Sequence, residues 1–402
     1  MTRAVLLLGP VLALALLPAN VVATALPLLR AEWGATAAEM GWVFAAYQAG
    51  YVVSVLLLLP LTDRVPAGRV IAACTVGTTA AFLLFPLLAR DVRSAAALRA
   101  VAGAGLAGIY LPGVRVVAAT ASARRRGLAV GVYVSAFYLG TALSLWATGL
   151  LLSATDWRGA SLALGAASAG GVPLALWAAR GAPPAAGHPA RLRPGVLRDG
   201  PLLRTVLAYS GHSWELYVSR AWLAAFLATA LAARGLSGVE SAAEGGKWAA
   251  LMAGLGAAGV WLGGWLSDRW GRARAAAGLA ALSGSLSLVF GWLGGLDWAA
   301  LVVLGCLYGL LTAADSAIYS TAVTELVSPG QLGSAQAAQA FLGFLASAIA
   351  PVAAGLVLDL GGGFGGAFAL AGLASLAGAL ALLPLARETL GPRPLRPALS
   401  GQ

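Results

Sequence analysis

Long apolar runs alternate with short polar segments along the whole chain. Each run holds roughly twenty mostly apolar residues, the length that an α-helix needs to cross a bilayer. Twelve such runs can be placed, at about 4–26, 38–61, 69–90, 95–121, 127–153, 159–179, 203–231, 247–267, 273–295, 298–324, 332–358 and 364–386. The pattern predicts an all-α integral membrane protein with twelve transmembrane helices, here called spans 1 to 12.

One polar segment is much longer than the others and divides the spans into two sets of six. Residues 180–204 are rich in Pro, Gly and Arg and lack apolar periodicity. We expect an N-terminal bundle over 1–180, a cytoplasmic linker over 181–202, a C-terminal bundle over 203–390 and a cytoplasmic tail over 391–402. The start of the chain imitates a signal peptide, but its long apolar run favours an uncleaved first helix.

Composition agrees with a membrane protein, since 60% of the residues are hydrophobic and only 10% are charged. A soluble domain carries about a quarter charged residues. The net charge of +11 resides mostly in loops, which suits anionic lipid rather than nucleic acid. Few basic residues fall on the side opposite the termini, namely Arg30, Arg90, Arg93, Arg158, Arg234 and Lys247. The positive-inside rule therefore predicts cytoplasmic termini and a location in the cell membrane.

Two charged turns occupy equivalent places in the two sets of spans. The segment 264–272 reads G-W-L-S-D-R-W-G-R, and a weaker copy over 61–69 reads L-T-D-R-V-P-A-G-R. This weaker copy has Leu59 in place of the leading Gly, and two extra residues separate Arg64 from Gly68. The pattern G-x-L-x-D-R-x-G-R resembles the signature loop of the major facilitator superfamily, which follows the second and eighth of twelve helices. The resemblance implies two pseudo-symmetric six-helix halves that rock about a central site.

The residues of these two turns are candidate parts of a conformational latch. We expect the leading Gly to allow close helix approach. The Asp would accept hydrogen bonds from a helix N-terminus, and the arginines would anchor at lipid phosphates or pair with that Asp. The candidates are Asp63, Arg64, Gly68, Arg69, Gly264, Asp268, Arg269, Gly271 and Arg272.

In that family spans 1, 4, 7 and 10 line the central path, and polar residues concentrate there in this chain. In span 4, Arg99 begins a run that resembles a second family motif, R-x-x-x-G-x-G, in which the Arg is linked to proton coupling. Arg99 and Tyr110 share a helical face, and Arg115 lies roughly opposite. Alternatively, both arginines extend to the membrane surfaces.

Span 7 carries the densest polar set. His212, Glu215 and Ser219 follow i, i+3, i+7 spacing, so we expect them to share one face. A His and a Glu placed in this way could pass a proton, and Arg220 could receive an anionic substrate or neutralise Glu215. A purely structural ion pair is the alternative.

Span 10 adds a polar stripe of Tyr308, Thr312, Asp315 and Tyr319 at helical spacing. Asp315 could pair with Arg115 or Arg220, or take a proton. The predicted cavity residues are Asn20, Tyr110, Arg115, Arg220, Tyr308, Thr312 and Tyr319. The predicted proton-coupling residues are His212, Glu215, Asp315 and Arg99.

Several functional classes are excluded or disfavoured by the sequence. It contains no nucleotide-binding P-loop, and its two His and two Cys lie too far apart to suggest a metal site. We expect no cofactor, no metal, no enzymatic activity and a monomer.

The sequence predicts a secondary active transporter that moves a small, anionic or carboxylate-bearing solute by alternating access, driven by protons. Spans 4, 7 and 10 loosely resemble nitrate-porter and cyanate-type members. Proton-driven efflux of apolar compounds remains an alternative, although Ser135-Ala136 stands where drug antiporters carry Gly-Pro. Two further alternatives are a non-transporting receptor or assembly partner with a transporter-like fold, and a passive channel.

Overall fold

The computed structural model describes residues 3–61, 64–122, 125–180, 194–328 and 330–388. These residues form α-helices joined by short turns, and no β-strand occurs among them. The helices are α1 (Arg3–Leu16), α2 (Val21–Thr24), α3 (Leu26–Trp33), α4 (Ala37–Leu61), α5 (Ala67–Leu88), α6 (Val92–Thr120), α7 (Arg126–Leu152), α8 (Trp157–Ala169), α9 (Gly171–Ala179), α10 (Gly200–Ala232), α11 (Gly238–Trp270), α12 (Arg272–Phe290), α13 (Trp298–Ala314), α14 (Ser316–Leu326), α15 (Leu332–Asp359) and α16 (Gly363–Glu388).

The predicted set of twelve membrane helices is confirmed. Ten helical segments of the described chain are long and apolar enough to cross a membrane, and α4 and α10 complete the set. Spans 1, 6 and 10 each combine two helices: α1 with α2, α8 with α9, and α13 with α14. Most of the predicted linker (residues 181–193) and the tail lie outside the described residues.

Span 8 begins at Gly238, well before the predicted start near residue 247. Ser237 and Glu240 form a capping box, in which each side chain accepts a hydrogen bond from the backbone N–H of the other. Such a box satisfies two free donors of the first turn. Glu244 and Lys247 pair at 2.7 Å on the next turn. These charged residues lower the mean hydropathy of the first turns of α11, so the apolar run did not include those turns.

Spans 1 and 10 are interrupted near their middle, as span 6 is at Gly170. Pro18 has no N–H and cannot continue the hydrogen-bond ladder of α1, which ends at Leu16. Residues 17–20 form a turn before α2 starts. Span 10 breaks at Asp315, between α13 and α14. Interrupted helices expose backbone and polar side chains at membrane depth, which is common where a transporter binds its substrate.

The two halves use glycine in the same way to pack their helices. In the N-terminal half, a side chain at Gly50 would collide with a carbonyl of α6, and one at Gly103 with a carbonyl of α4. In the C-terminal half, side chains at Gly259 and Gly263 would collide with carbonyls of span 10. Small residues allow such close backbone contact between membrane helices. Spans 2 and 4 therefore pack as spans 8 and 10 do.

We name the two ends of the bundle by their connections. The linker face is the end where α4 and α16 finish and α5 and α10 begin. The far face is the opposite end, which carries α3 and the turns at 34–36, 153–156, 233–237, 291–297 and 360–362.

The two halves are tightly joined at the far face and diverge toward the linker face. A Cβ at Gly149 of α7 would lie 2.5 Å from the carbonyl oxygen of Ala243 on α11. Nearer the linker face, Gly254 of α11 has the Cβ of Ala142 at 3.7 Å. Gly131 lies on the same face of α7 as Gly149 and Ala142 by helical spacing, and among the described residues no atom of a neighbouring element lies within 4 Å of its Cβ position. The halves are thus closed at the far face.

A single carboxylate reinforces this closure. Asp359, at the end of α15, accepts hydrogen bonds from the backbone N–H groups of Ala37 and Ala38 at 2.8 Å each. Arg30 donates to the same carboxylate at 3.5 Å. All three contacts join the C-terminal half to the N-terminal half. Asp359 therefore caps the N-terminus of α4, where a negative charge is favourable.

Candidate functional site

A cavity of about 530 Å³ lies between the two halves. It is lined by residues from spans 1, 2, 4 and 5 on one side and from spans 7, 8, 10 and 11 on the other. Its walls are rich in aromatic side chains, which are Phe44, Tyr47, Tyr51, Tyr110, Phe137, Tyr138, Tyr209, Tyr217 and Phe344. The volume is typical of a site for a small organic molecule.

Arg99 lines this cavity and binds the interrupted first span. Its Nη1 donates to the carbonyl of Ala19 at 2.6 Å, a carbonyl that lies in the turn after Pro18. Its guanidinium also lies over the ring of Tyr47, 4.2 Å from the ring centre. The side chain is buried. Arg99 therefore stabilises the break in span 1 from the cavity side.

Arg220 is the cavity arginine of the C-terminal half. Its guanidinium lies 5.1 Å from the ring centre of Tyr217 and 5.4 Å from that of Phe137. Among the described residues, no carboxylate forms an ion pair with it. The predicted pairing with Glu215 or Asp315 is therefore wrong. The N–H donors of the guanidinium are therefore available to a ligand.

His212 and Asp315 form a buried pair at the break in span 10. Nδ1 of His212 lies 2.7 Å from Oδ1 of Asp315, although the two atoms are not aligned as a hydrogen bond. Tyr319 donates to the other carboxylate oxygen at 2.8 Å. Nε2 of His212 lies 2.9 Å from the hydroxyl of Ser316. His212 and Ser316 line the cavity, and Asp315 is buried behind them.

Glu215 points away from the cavity, so the expected shared face with His212 is wrong. It is fully buried within the C-terminal half and accepts a hydrogen bond from Ser283 of α12 at 2.8 Å. Within the described residues its other carboxyl oxygen has no hydrogen-bond partner. Glu215 is therefore a buried acid held beside α12, away from the cavity lining.

Other predicted cavity residues divide into three groups. Asn20 and Tyr110 line the main cavity. Thr312 lines a small annex that Asn20 and Arg220 also border. Tyr308 and Tyr319 are buried behind the wall rather than exposed to the cavity.

Arg115 is exposed near the linker end of α6 and is not part of the cavity lining. It lies on the opposite side of the helix from Arg99 and Tyr110, as its spacing indicates. Its expected place in the cavity is therefore wrong, and so is its pairing with Asp315, which contacts His212 instead.

The sequence interpretation missed several lining residues, because span 5 was not among the expected path helices. Phe137, Tyr138 and Thr141 of α7 face the cavity. On α10 it also missed Tyr209 and Ser213, and it did not assign Tyr217 of the polar set to the cavity. These three recur every four residues, so their helical spacing was a usable signal.

The second signature turn is organised by Arg272. Its guanidinium donates to Ser267 at 2.7 Å and to Asp268 at 2.5 Å. It also donates to Glu325 at 2.9 Å, which joins the start of α12 to the end of α14. Gly271 terminates α11 with a positive φ of 85°, a conformation that glycine adopts readily.

Close helix approach depends on Gly263 rather than on Gly264. In the described part of the chain, no neighbouring atom lies within 4 Å of a Cβ built at Gly264, whereas one at Gly263 would collide with the carbonyl of Ala314. Adjacent helical residues differ by about 100° in direction, so only one of the two can face span 10. The prediction for Gly264 is therefore wrong.

The remaining turn residues take simpler positions. Arg269 lies over Trp265, 3.7 Å from the ring centre. In the first turn, Arg64 and Arg69 are exposed and Gly68 is buried at the start of α5. Asp63 lies outside the described residues.

The fold and its central cavity define a membrane transporter. A family model described as Major Facilitator Superfamily matches residues 8–293 and 241–400. The chain belongs to this superfamily.

Two curated relatives agree with the family assignment. A protein of Streptomyces coelicolor named a probable transporter is 32% identical over 362 residues, which cover 86% of this chain and 79% of the relative. A probable sulfoacetate transporter of Cupriavidus necator is 29% identical over 149 residues, which cover 37% of this chain and 34% of the relative.

Solved structures share the fold at low sequence identity. The nucleoside transporter NupG superposes with a TM-score of 0.74 at 14% identity, covering 96% of this chain and 99% of that one. A bacterial homologue of the human lysosomal transporter Spinster, in an inward-facing and occupied conformation, gives a TM-score of 0.71 at 16% identity over 95% and 94% of the two chains.

Proposed function

We propose that this protein is a proton-coupled transporter of a small organic anion that works by alternating access. The observation that carries the proposal is the placement, at one cavity between the two halves, of a His–Asp pair and an arginine that has no carboxylate partner among the described residues. Arg220 receives the anion, and the His212–Asp315 pair takes up and releases the coupling proton.

Electrostatics supports an anionic substrate. A charge inside a membrane protein is costly, by about 2.5–3.5 kcal/mol at a helix centre, and usually serves a function. Arg220 has aromatic rings but no described carboxylate around it. The relative named a probable sulfoacetate transporter supports only the broad class of organic anions, since sulfoacetate itself carries two acidic groups and no ring.

We place the coupling proton on the His212–Asp315 pair rather than on Glu215. His212 lines the cavity and the pair lies at a helix break, where a change in charge can alter both span 10 and the cavity. Glu215 lies between α10 and α12, away from the cavity lining.

Alternating access is supported by closure at the far face and by the gap around Gly131 on α7. If the linker face is cytoplasmic, as the basic loops predict, this conformation is inward-facing. Substrate would then exchange with the cytoplasm in this state and with the outside after the far face opens.

Proton movement in proteoliposomes tests the proposal. A pH-sensitive dye is enclosed, and small carboxylates and sulfonates are added outside. We expect at least one anion to move protons in the wild type, and Asp315→Asn and His212→Gln to reduce this flux at least tenfold. Glu215→Gln is the matched control, because it also changes a buried carboxyl to an amide but lies away from the cavity.

Two outcomes would contradict the proposal. Undiminished proton flux in both pair variants would show that the His–Asp pair does not carry the coupling proton. Saturable anion uptake without any proton movement would make the protein a uniporter or one coupled to another ion.

A further inference from the structure

We propose that the transported anion is a monoanion that carries an aromatic ring. This inference rests on the proposed function, because it names the class of anion that the same cavity binds. Six of the nine tyrosines in the chain line that cavity. They are Tyr47, Tyr51, Tyr110, Tyr138, Tyr209 and Tyr217.

The anionic part of the ligand is assigned to Arg220. The guanidinium is half-buried and held beside Phe137 and Tyr217. A ring face attracts a cation but accepts none of the N–H groups that lie in the plane of the guanidinium. A carboxylate or sulfonate can accept two of these donors at once.

One anionic group is expected rather than two. Arg99, the other arginine of the cavity lining, is buried and already donates to the carbonyl of Ala19. Its guanidinium also lies over Tyr47. His212 is paired with Asp315. The Nε atom of Arg99 has no hydrogen-bond partner among the described residues, but it is fully buried and shielded from the cavity. Among the described lining residues, Arg220 is therefore the half-buried cation that is open to the ligand.

The aromatic part is assigned to rings from both halves. Phe137 and Tyr138 come from α7 in the N-terminal half, and Tyr209 and Tyr217 come from α10 in the C-terminal half. All four are only partly buried. A planar ring between them gains offset or edge-to-face contacts that a saturated ring of the same size does not make.

This placement also links binding to movement. A ring that touches both α7 and α10 contacts both rigid bodies of the transporter, whose closure would complete the site. The cavity of about 530 Å³ suits such a ligand. A two-carbon anion held at Arg220 would leave most of this volume to water.

Equilibrium binding to the full-length protein in lipid nanodiscs tests the inference. The probes are benzoate, cyclohexanecarboxylate, which has the same charge and nearly the same size, and benzyl alcohol, which has the ring without the charge. We expect benzoate to bind about three- to tenfold more tightly than cyclohexanecarboxylate. Benzyl alcohol should bind at least tenfold more weakly than benzoate.

Variants separate the two parts of the ligand. Arg220→Gln should weaken benzoate at least tenfold. Tyr138→Leu combined with Tyr209→Leu should bring the two carboxylates to equal affinity while retaining their binding. Trp261→Leu is the matched control, because Trp261 is 72% exposed on α11 and the change should leave the ratio intact. Unfolding temperatures without ligand verify that each variant is folded.

The possible failures are distinguishable. Equal binding of benzoate and cyclohexanecarboxylate, with loss of both in Arg220→Gln, would overturn the aromatic assignment and leave the anion transporter standing. Binding of benzyl alcohol as tight as benzoate, unaffected by Arg220→Gln, would overturn the anion transporter itself.

Discussion

Removing the Asp359 carboxylate is predicted to open the far face. In the observed conformation this carboxylate accepts two backbone hydrogen bonds from α4 at 2.8 Å and one from Arg30 at 3.5 Å. Every one of these contacts crosses between the halves. They must break when the far face opens, so they stabilise only the closed conformation.

The magnitude follows from the individual contacts. A capping side chain contributes about 1 kcal/mol, and its charge at a helix N-terminus adds roughly 0.3–1 kcal/mol. The Arg30 pair adds little, because Arg30 is 45% exposed. Asp359→Ala should therefore favour the open far face by about 2 kcal/mol, or roughly 30-fold in population. Asp359→Asn keeps a hydrogen-bond acceptor, so it should shift the free-energy difference between the closed and open far face by about half as much.

Thiol labelling measures this population. Ala243→Cys, in a background with both native cysteines replaced, places a thiol where α7 covers α11 at the far face. Ala243 is 1% exposed, so a maleimide reacts only when the far face opens. We expect labelling in nanodiscs to accelerate at least tenfold in Asp359→Ala and by a smaller factor in Asp359→Asn.

Asp297→Ala is the matched control. Asp297 caps α13 at the same face by accepting from the N–H groups of Ala299 and Ala300 at 2.9 and 3.3 Å. Both partners belong to its own half. The variant should lower stability without changing the labelling rate. Equal labelling of Asp359→Ala and the wild type, with both folded, would refute the role of Asp359 in holding the far face closed.

Two further predictions concern stability. Gly263→Ala should destabilise the protein by about 1–3 kcal/mol through overpacking, whereas Gly264→Ala should be neutral or stabilising, because its Cβ would meet open space; equal unfolding temperatures would contradict the helix contact. Near the far face, hydrogen bonds from Arg158 and from the indole of Trp157 hold the pKa of Glu32 below its usual value. Since a lowered pKa stabilises the fold above the unfolded pKa of about 4.3, the excess unfolding temperature of the wild type over Glu32→Gln should be constant above pH 5 and vanish as pH falls below 4. A difference that grows in acid would have the wrong sign.

The membrane architecture was largely predictable from the sequence, because it depends on local properties. The length of an apolar run determines whether a helix can span the bilayer. The signature turn at 264–272 and its copy indicated two related halves, and the family match agrees. The exceptions were local as well. Charged residues at the start of α11 lower its hydropathy, so the apolar run began too late. Pro18 interrupts span 1 within an otherwise apolar run.

The cavity was only partly predictable, because it depends on which side of each helix meets which neighbour. His212 and Glu215 are three residues apart and differ by about 60° in direction on a helix. For α10, which has neighbours on several sides, that angle separates a side chain in the cavity from one buried against α12. Helical spacing alone grouped them on one face. The packing of α12 and of span 10 against α10 determines that they serve different environments.

The sequence by itself determined that the chain forms twelve membrane helices in two related halves and that its polar residues gather in spans 4, 7 and 10. Only the tertiary structure decided that Asp315 pairs with His212 and that Arg220 has no described acidic partner. It also decided that Asp359 joins the two halves, through contacts with residues more than 300 positions away in the chain. Apolar length is a property of one segment. Pairing depends on the relative rotation and distance of segments, which their close packing sets.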